Sequence, residues 1–570
     1  MKAKRGLVAV LAAMLVISAV GCKGDGDTSS QNSQNSTSGD VTSSNASQGT
    51  EQGNSEYPDY LNLSSELPLA NEMQKMSVVV YQRAGQGKAD DIWFWEFARQ
   101  EMNIDFDVTQ VTSSAEYKST AFATDSLPDI WFQMFLTSVE QLTYGEREEQ
   151  LIDLSDYIND TLTPNMMKVY SEYPEYLGKV TSPSGAIYSL GGITNPKSSA
   201  MTFFINKQWL EEADMELPRT LEEFTAAMEA FKQRGSDIVP MAGDAGDATR
   251  YLLNAYGYVT HAAESQTTIA LRNGKPVIPA GDREVFGEYL KTVAEYYQKG
   301  YLSPDLYTID NETTRALMQN GKHGFSQSSF VSLAPNNETE WSAAPFLTSE
   351  YNDTAKVASN YNSVSNQSYA ISHTCKTPEL AMRFLDWFFD YDNYHLAMFG
   401  PTAEQEDLFL GKVDSGWTYK TDDENDAAKV YPAVEDGSYP TMGEYQYAKI
   451  QAIIGGYVGL CYDLFGDSQY RSSPPGNTRG EQDIVTVQIT DEYYPVIQFF
   501  TDEQNTALTD LSSVINAYIK ENVAKFITGD RAVTDEELTA YFDGLDAIGF
   551  QEYLQYYIDY YNDVYLPSVQ

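Results

Sequence analysis

Apolar positions along this chain alternate between a two-residue rhythm and a three-to-four-residue rhythm. Ser77–Tyr81 (SVVVY) is a short β-branched run, and the polar stretch Gln82–Asp90 behind it reads as a loop. A helix is predicted from Ile92 onward. Ile104–Val111 alternates as a half-buried strand does, and Asp129–Phe132 is another short strand after Leu127-Pro128. Further along, Thr220 and Glu223 form a capping box ahead of Leu221, Phe224, Met228 and Phe231, whose spacing places them on one helical face. Thr377-Pro378 opens a second such helix with Ala381, Phe384, Leu385 and Phe388 facing a core, and Thr534 with Glu537 starts a third. From Leu508 the chain reads as mainly helical. Strands separated by helices predict a mostly parallel sheet covered on both faces. Such sheets take ligands beyond the carboxyl ends of their strands, which singles out the loops after Tyr81 and after Phe132.

The first 56 residues do not share this rhythm. Lys2, Lys4 and Arg5 precede an uncharged apolar run, Leu7–Val20, that is too short to span a bilayer and ends in small residues. That is the pattern of an export signal over residues 1–21. Gly21-Cys22 resembles the lipobox of bacterial lipoproteins, with Ala19 where that motif usually carries leucine. The resemblance implies a diacylglyceryl and palmitoyl anchor on Cys22. Residues 22–56 are almost all Ser, Asn, Gln, Thr, Gly and Asp, with almost nothing apolar to bury, and are read as a disordered tether between lipid and folded domain.

Charge narrows the partners. Setting aside the three cations of the signal, 82 acidic residues face 34 basic ones, a net of about −48 that repels nucleic acid and favours neutral or cationic ligands. Cys375 and Cys461, the cysteines besides Cys22, are expected as two separate buried thiols.

Motifs for chemistry are sparse. His261, His323, His373 and His395 lack metal-ligand spacing, and no H-E-x-x-H, C-x-x-C, G-x-S-x-G or phosphate-binding G-x-x-x-x-G-K-[ST] occurs. Gly85-Gln86-Gly87 lacks the third glycine of a dinucleotide fingerprint. A lipid-anchored glycoside hydrolase or lyase remains as an alternative, because two carboxylates across a cleft need no fixed sequence spacing. Aromatic residues make up 13% of the chain, including 41 Tyr and 7 Trp, more than a core of this size calls for. Aromatic planes stack on the C–H faces of sugar rings while neighbouring polar groups bind hydroxyls. Trp93 and Trp95, beside the loop of Arg83 and Asp90, are candidate platforms; Tyr553, Tyr557 and Tyr560 repeat at helical spacing and read as packing.

Seven blocks in order carry a family resemblance: DDIWFWEFARQEMNIDFDVTQV, SLPDIWF, LIDLSDYI, FFINKQWLEEADMELPRTLEEF, ALMQNGKHGF, ISHTCKTPELAMRFLDWFF and ENVAKFITGD. Together they resemble the extracellular solute-binding proteins of ABC importers, in the long lipoprotein-type branch of the family that includes maltose-binding protein. The resemblance implies an α/β, two-lobed, type II periplasmic-binding-protein fold with mostly parallel sheets flanked by helices and a helical C-terminal region. It implies lobes made of 57–195 with 370–425 and of 196–369 with 426–570, with crossings near Gly191–Thr202 and Ser365–Ile371. It also implies a binding protein rather than an enzyme, with no cofactor, monomeric, and held at the outer face of the membrane. An oligosaccharide would be closed upon by hinge motion and passed to a separate permease; a peptide or other polar solute is the alternative cargo. Gln133 and Phe330 fall at positions the resemblance associates with sugar contact, Tyr188 lies in the segment approaching the first crossing, and Arg83, Trp93, Trp95, Trp341 and Asn362 complete the candidate set from cleft-facing loops and residue chemistry.

Overall fold

The computed structural model describes residues 57–82, 85–194, 202–260, 266–327, 334–359, 364, 369–424, 426–439, 441–452, 458–471 and 483–568. The signal, Cys22 and the tether therefore lie outside the described residues, as do Arg83, Phe330 and Asn362.

Two sheets organise the fold. The first contains β1 (Gln74–Tyr81), β2 (Ile104–Val111), β3 (Ile130–Phe132) and, much later in the chain, a fourth strand at Tyr369–Ile371. The second contains β4 (Phe203–Asn206), β5 (Phe325–Gln327) and β6 (Trp341–Ala343), which makes Tyr369–Ile371 β7. In the first sheet β1 pairs in parallel with β2 on one side and β3 on the other, and β7 runs antiparallel against β3. Val78, Val79 and Val80 are all fully buried because helices cover both faces. Their side chains alternate: Val78 and Val80 point into one core, Val79 into a smaller one with Trp131.

Helix α1 (Trp93–Glu101) joins β1 to β2, and α2 (Ser114–Thr124) joins β2 to β3, starting at a cap where the Ser113 side chain accepts the Glu116 N–H. Phe94 and Phe97 of α1 pack in the larger core, whereas Phe122 of α2 stacks on Trp131 at 4.6 Å on the opposite face.

The second sheet departs from expectation. Its strands are three or four residues long, and β4 pairs antiparallel with both β5 and β6. Helices still separate its strands in sequence, among them Leu221–Lys232 and Phe286–Gln298 between β4 and β5, so alternation of helix and strand does not by itself fix parallel pairing. The predicted capping box at Thr220 and Glu223 is present, with Phe224, Met228 and Phe231 buried below it. Around this sheet pack the helices Phe286–Gln298 and Asp502–Thr528, the latter 27 residues long.

Core membership shows how the chain travels. It leaves the first core after Ile193 and enters the second at Phe203, returns between Val357 and Val364, and crosses again between Leu460 and Val485. The last crossing corrects the expectation that 426–570 belongs to the second lobe. Tyr431, Tyr445, Ile450, Ala452, Val458 and Leu460 are buried in the first core. The segment is anchored by backbone pairing that sequence does not announce: Gly87 N–H donates to the Tyr447 carbonyl at 3.0 Å and Phe94 N–H to that of Ile450 at 3.3 Å. Cys375 and Cys461 stand as thiols, burial pushing each pKa up to about 12.

Candidate functional site

The crossings locate the site. Because β7 is antiparallel to β3 and Tyr369 pairs with Phe132, the chain before Tyr369 continues past the carboxyl end of β3. There Leu190 bridges Tyr369, Ile193 bridges Val364, and Ile193 also bridges Leu460. The first-lobe ends of all three connections, at Ile193, Val364 and Leu460, are thus bridged to one another, and the carboxyl ends of the strands in open α/β sheets are where ligands are received.

Val364 lines a cavity of about 660 Å³ at this junction. Pro174, Lys179, Thr181 and Ser182 form one side; Tyr493, Phe499, Tyr560 and Tyr565 bring aromatic surface from the other. Local structure explains the aromatic wall. The helix Phe550–Asp559 is followed by a π-helical turn, Tyr560–Tyr565, whose wider winding brings Tyr560, Val564 and Tyr565 to the same cavity. Tyr493, Phe499 and Tyr560 are each under a tenth exposed, so they are held by packing before any ligand arrives.

The polar groups are few and constrained. Half-buried Lys179 donates from Nζ to the Tyr493 hydroxyl at 3.3 Å and lies over the Tyr176 ring at 5.4 Å. Burial lowers the Lys179 pKa, against the pull of Glu175 and Asp491, and burial pushes Tyr493 up to about 12. Tyr493 therefore keeps its hydrogen at neutral pH and can donate it, while Lys179 donates by the geometry of its contact. The Thr181 hydroxyl donates to the Leu177 carbonyl at 2.9 Å, and the Ser182 and Ser184 hydroxyls share a 2.8 Å hydrogen bond.

A second feature sits directly after β3. Gln133 and Phe135 adopt left-handed backbone with φ of 56° and 52°. Half-buried Phe135 meets Tyr81, at the end of β1, edge to face at 6.3 Å. The two rings give the carboxyl edge of the sheet an aromatic patch.

The sequence candidates fare unevenly. Trp93 is wholly buried in the first core, its indole N–H donated to the Leu408 carbonyl at 2.7 Å, and Trp341 is buried in the second. Trp95, 7% exposed, packs edge to face on Phe106 and Phe132. The helical spacing of α1 turns both of its tryptophans inward, which corrects their selection as platforms on nearness to a loop. Gln133 is itself buried, whereas Phe135 in the same loop is half-buried. The Tyr188 ring rests over Gly145 in the small core, where burial raises its pKa. None of these five lines the cavity. The aromatic wall was missed because Tyr560 was read as packing; it packs and lines the cavity at once. Its signal in the sequence is the density of tyrosine in Tyr556–Tyr565.

Comparison with known proteins agrees with this architecture. A family profile described as bacterial extracellular solute-binding protein matches residues 83–395. The chain is 21% identical over 496 residues, covering 81% of its length and 85% of the relative's, to the fructooligosaccharide ABC transporter substrate-binding protein FusA of Streptococcus pneumoniae. The solved structure of FusA in complex with kestose superposes with a TM-score of 0.66 at 19% identity, covering 87% of this chain and all of that one. An extracellular solute-binding protein from Bifidobacterium longum subsp. infantis gives 0.67 at 18% identity, covering 86% and 98%.

Proposed function

The chain belongs to the bacterial extracellular solute-binding proteins, a family of two-lobed binding proteins rather than enzymes, and from that premise we propose that it captures a neutral oligosaccharide for an ABC importer. The observation that carries the proposal is the cavity of about 660 Å³ walled by Tyr493, Phe499, Tyr560 and Tyr565 and furnished with the donors Lys179 and Tyr493. Preset aromatic planes suit the C–H faces of sugar rings, and a few fixed donors suit their hydroxyls. The similarity to FusA, a fructooligosaccharide ABC transporter substrate-binding protein, supports the same ligand class.

In this reading the ligand is held between the lobes and the closed form is stabilised by contacts it makes with both. The loop after β3, with Gln133 and Phe135, adds a face at the carboxyl edge of the first sheet. Arg83, Phe330 and Asn362 stay as proposed contacts. The lobes are 57–193 with 364–460 and 203–357 with 485–568. A lipid on Cys22 and the 22–56 tether hold the monomeric protein near its permease at the outer membrane face.

Isothermal titration against neutral oligosaccharides, with scattering before and after saturation, tests the proposal. Micromolar binding, about 8 kcal/mol at standard state, together with compaction is expected. Silence across the panel, or a shape indifferent to every sugar, overturns it.

A further inference from the structure

Three consecutive carbonyls in the loop after β3 are each held by a side chain from within the lobe. The Ser114 hydroxyl donates to the Met134 carbonyl at 2.6 Å, Lys118 Nζ to that of Phe135 at 3.0 Å, and the Gln141 amide to that of Leu136 at 3.0 Å. Lys118 is buried, which is rare for lysine and requires a partner. It has one: its Nζ also donates to Glu140 Oε2 at 2.6 Å. Glu140 in turn closes the loop's far end, accepting the Thr137 N–H at 2.8 Å while the Thr137 hydroxyl accepts the Glu140 N–H, a capping box.

Lys118 thus ties the carbonyl of Phe135, a residue in left-handed backbone, to the carboxylate that caps the next helix. A buried ammonium with two fixed acceptors resists displacement, because breaking either contact leaves a charge in a low-dielectric interior. We propose that Lys118 is the positioning residue of the ligand-facing loop 133–137, setting the Phe135 ring against Tyr81 from inside the lobe without touching ligand. The ligand-facing role of the loop rests on the carbohydrate reading above; the anchoring does not.

Lys118→Met, Lys118→Arg and Arg383→Met test this in the full-length protein. Arg383 is a comparably buried cation of the same lobe, donating to the Ser64 and Leu162 carbonyls, away from the loop. Lys118→Met is expected to weaken binding of the best oligosaccharide of the panel about tenfold, the worth of one charge-assisted hydrogen bond, with Lys118→Arg recovering most of it. Arg383→Met, with a matching loss of melting temperature, is expected to bind as the parent does. Unchanged affinity in Lys118→Met, or equal losses in it and Arg383→Met, overturns the inference. If Lys118→Met does not fold, Glu140→Gln is read by the same criteria. If the parent binds no sugar, the carbohydrate reading falls, and anchoring is judged by amide exchange at 134–137: faster exchange confined to the Lys118 variant upholds it, unchanged exchange overturns it.

Discussion

Lys179 and Tyr493 meet across the cavity, the ammonium donating to the phenol hydroxyl at 3.3 Å from a segment more than three hundred residues away in sequence. Each partner comes from a different wall, so the pair reports on whether the walls are together. Removing the ring should remove stacking surface and this contact at once. Tyr493→Ala is expected to weaken oligosaccharide binding by about 2 kcal/mol, roughly thirtyfold, while Tyr493→Phe, which keeps the ring, loses less than 1 kcal/mol. Titration calorimetry on both variants checks it; equal losses would show that the hydroxyl, not the plane, matters.

Trp93 gives the opposite signature. Its ring fills the first core against Phe94 and Phe97, so Trp93→Ala is expected to cost about 3–5 kcal/mol of stability. Affinity of the remaining folded fraction should stay near the parent's. Denaturant melts paired with calorimetry separate the two effects, and a binding loss without a stability loss would restore Trp93 to the site.

Acid should loosen the first lobe through His395. This ring stacks on Tyr470 at 3.8 Å, neither nitrogen has a hydrogen-bond partner among the described residues, and burial, aided by Lys429, lowers its pKa to about 2. Unfolded, the ring takes up a proton below its ordinary value, while the folded ring does not. The stability it contributes is therefore complete above that value and is lost as pH falls toward about 2. His323, lowered to about 4 by burial, acts in the same sense, whereas Asp386, raised to about 7 by burial, gains stability as pH falls through that range. His395→Phe is expected to recover about 2 kcal/mol relative to the parent on going from neutral pH to about pH 5. Urea melts across that range check it, and parallel pH profiles for the two proteins would refute it.

Gly87 permits the close approach of the 447–452 segment. A methyl there would collide with the Ala448 carbonyl, while the Gly87 N–H holds the Tyr447 carbonyl and Gln86 Nε2 donates to that of Ala452 at 2.8 Å. Gly87→Ala is expected to destabilise the protein by about 1–3 kcal/mol and to speed proteolysis near 442–452. Limited digestion followed by mass spectrometry would show whether cleavage moves there.

How far sequence reached depends on the range of the interactions. β1 to β3 and α1 were legible because their signals are local: a β-branched run, a period-two alternation, a proline before a strand. The capping boxes at Thr220 and the caps at Thr534 were legible for the same reason, since cap and partner lie three residues apart. Trp93 and Trp341 were misplaced because nearness to a loop says nothing about which way a ring points.

Sequence alone determined the alternation of strands and helices in the first lobe, the family and the acidic character of the surface, because each is written in spacing or composition. Tertiary structure alone decided that Tyr431, Tyr445, Ile450 and Leu460 stay in the first core, that the second sheet is antiparallel, and that Tyr493, Tyr560 and Lys179 share one cavity. Contacts between residues hundreds of positions apart leave no local period, so only the folded packing of backbone and side chains could reveal them.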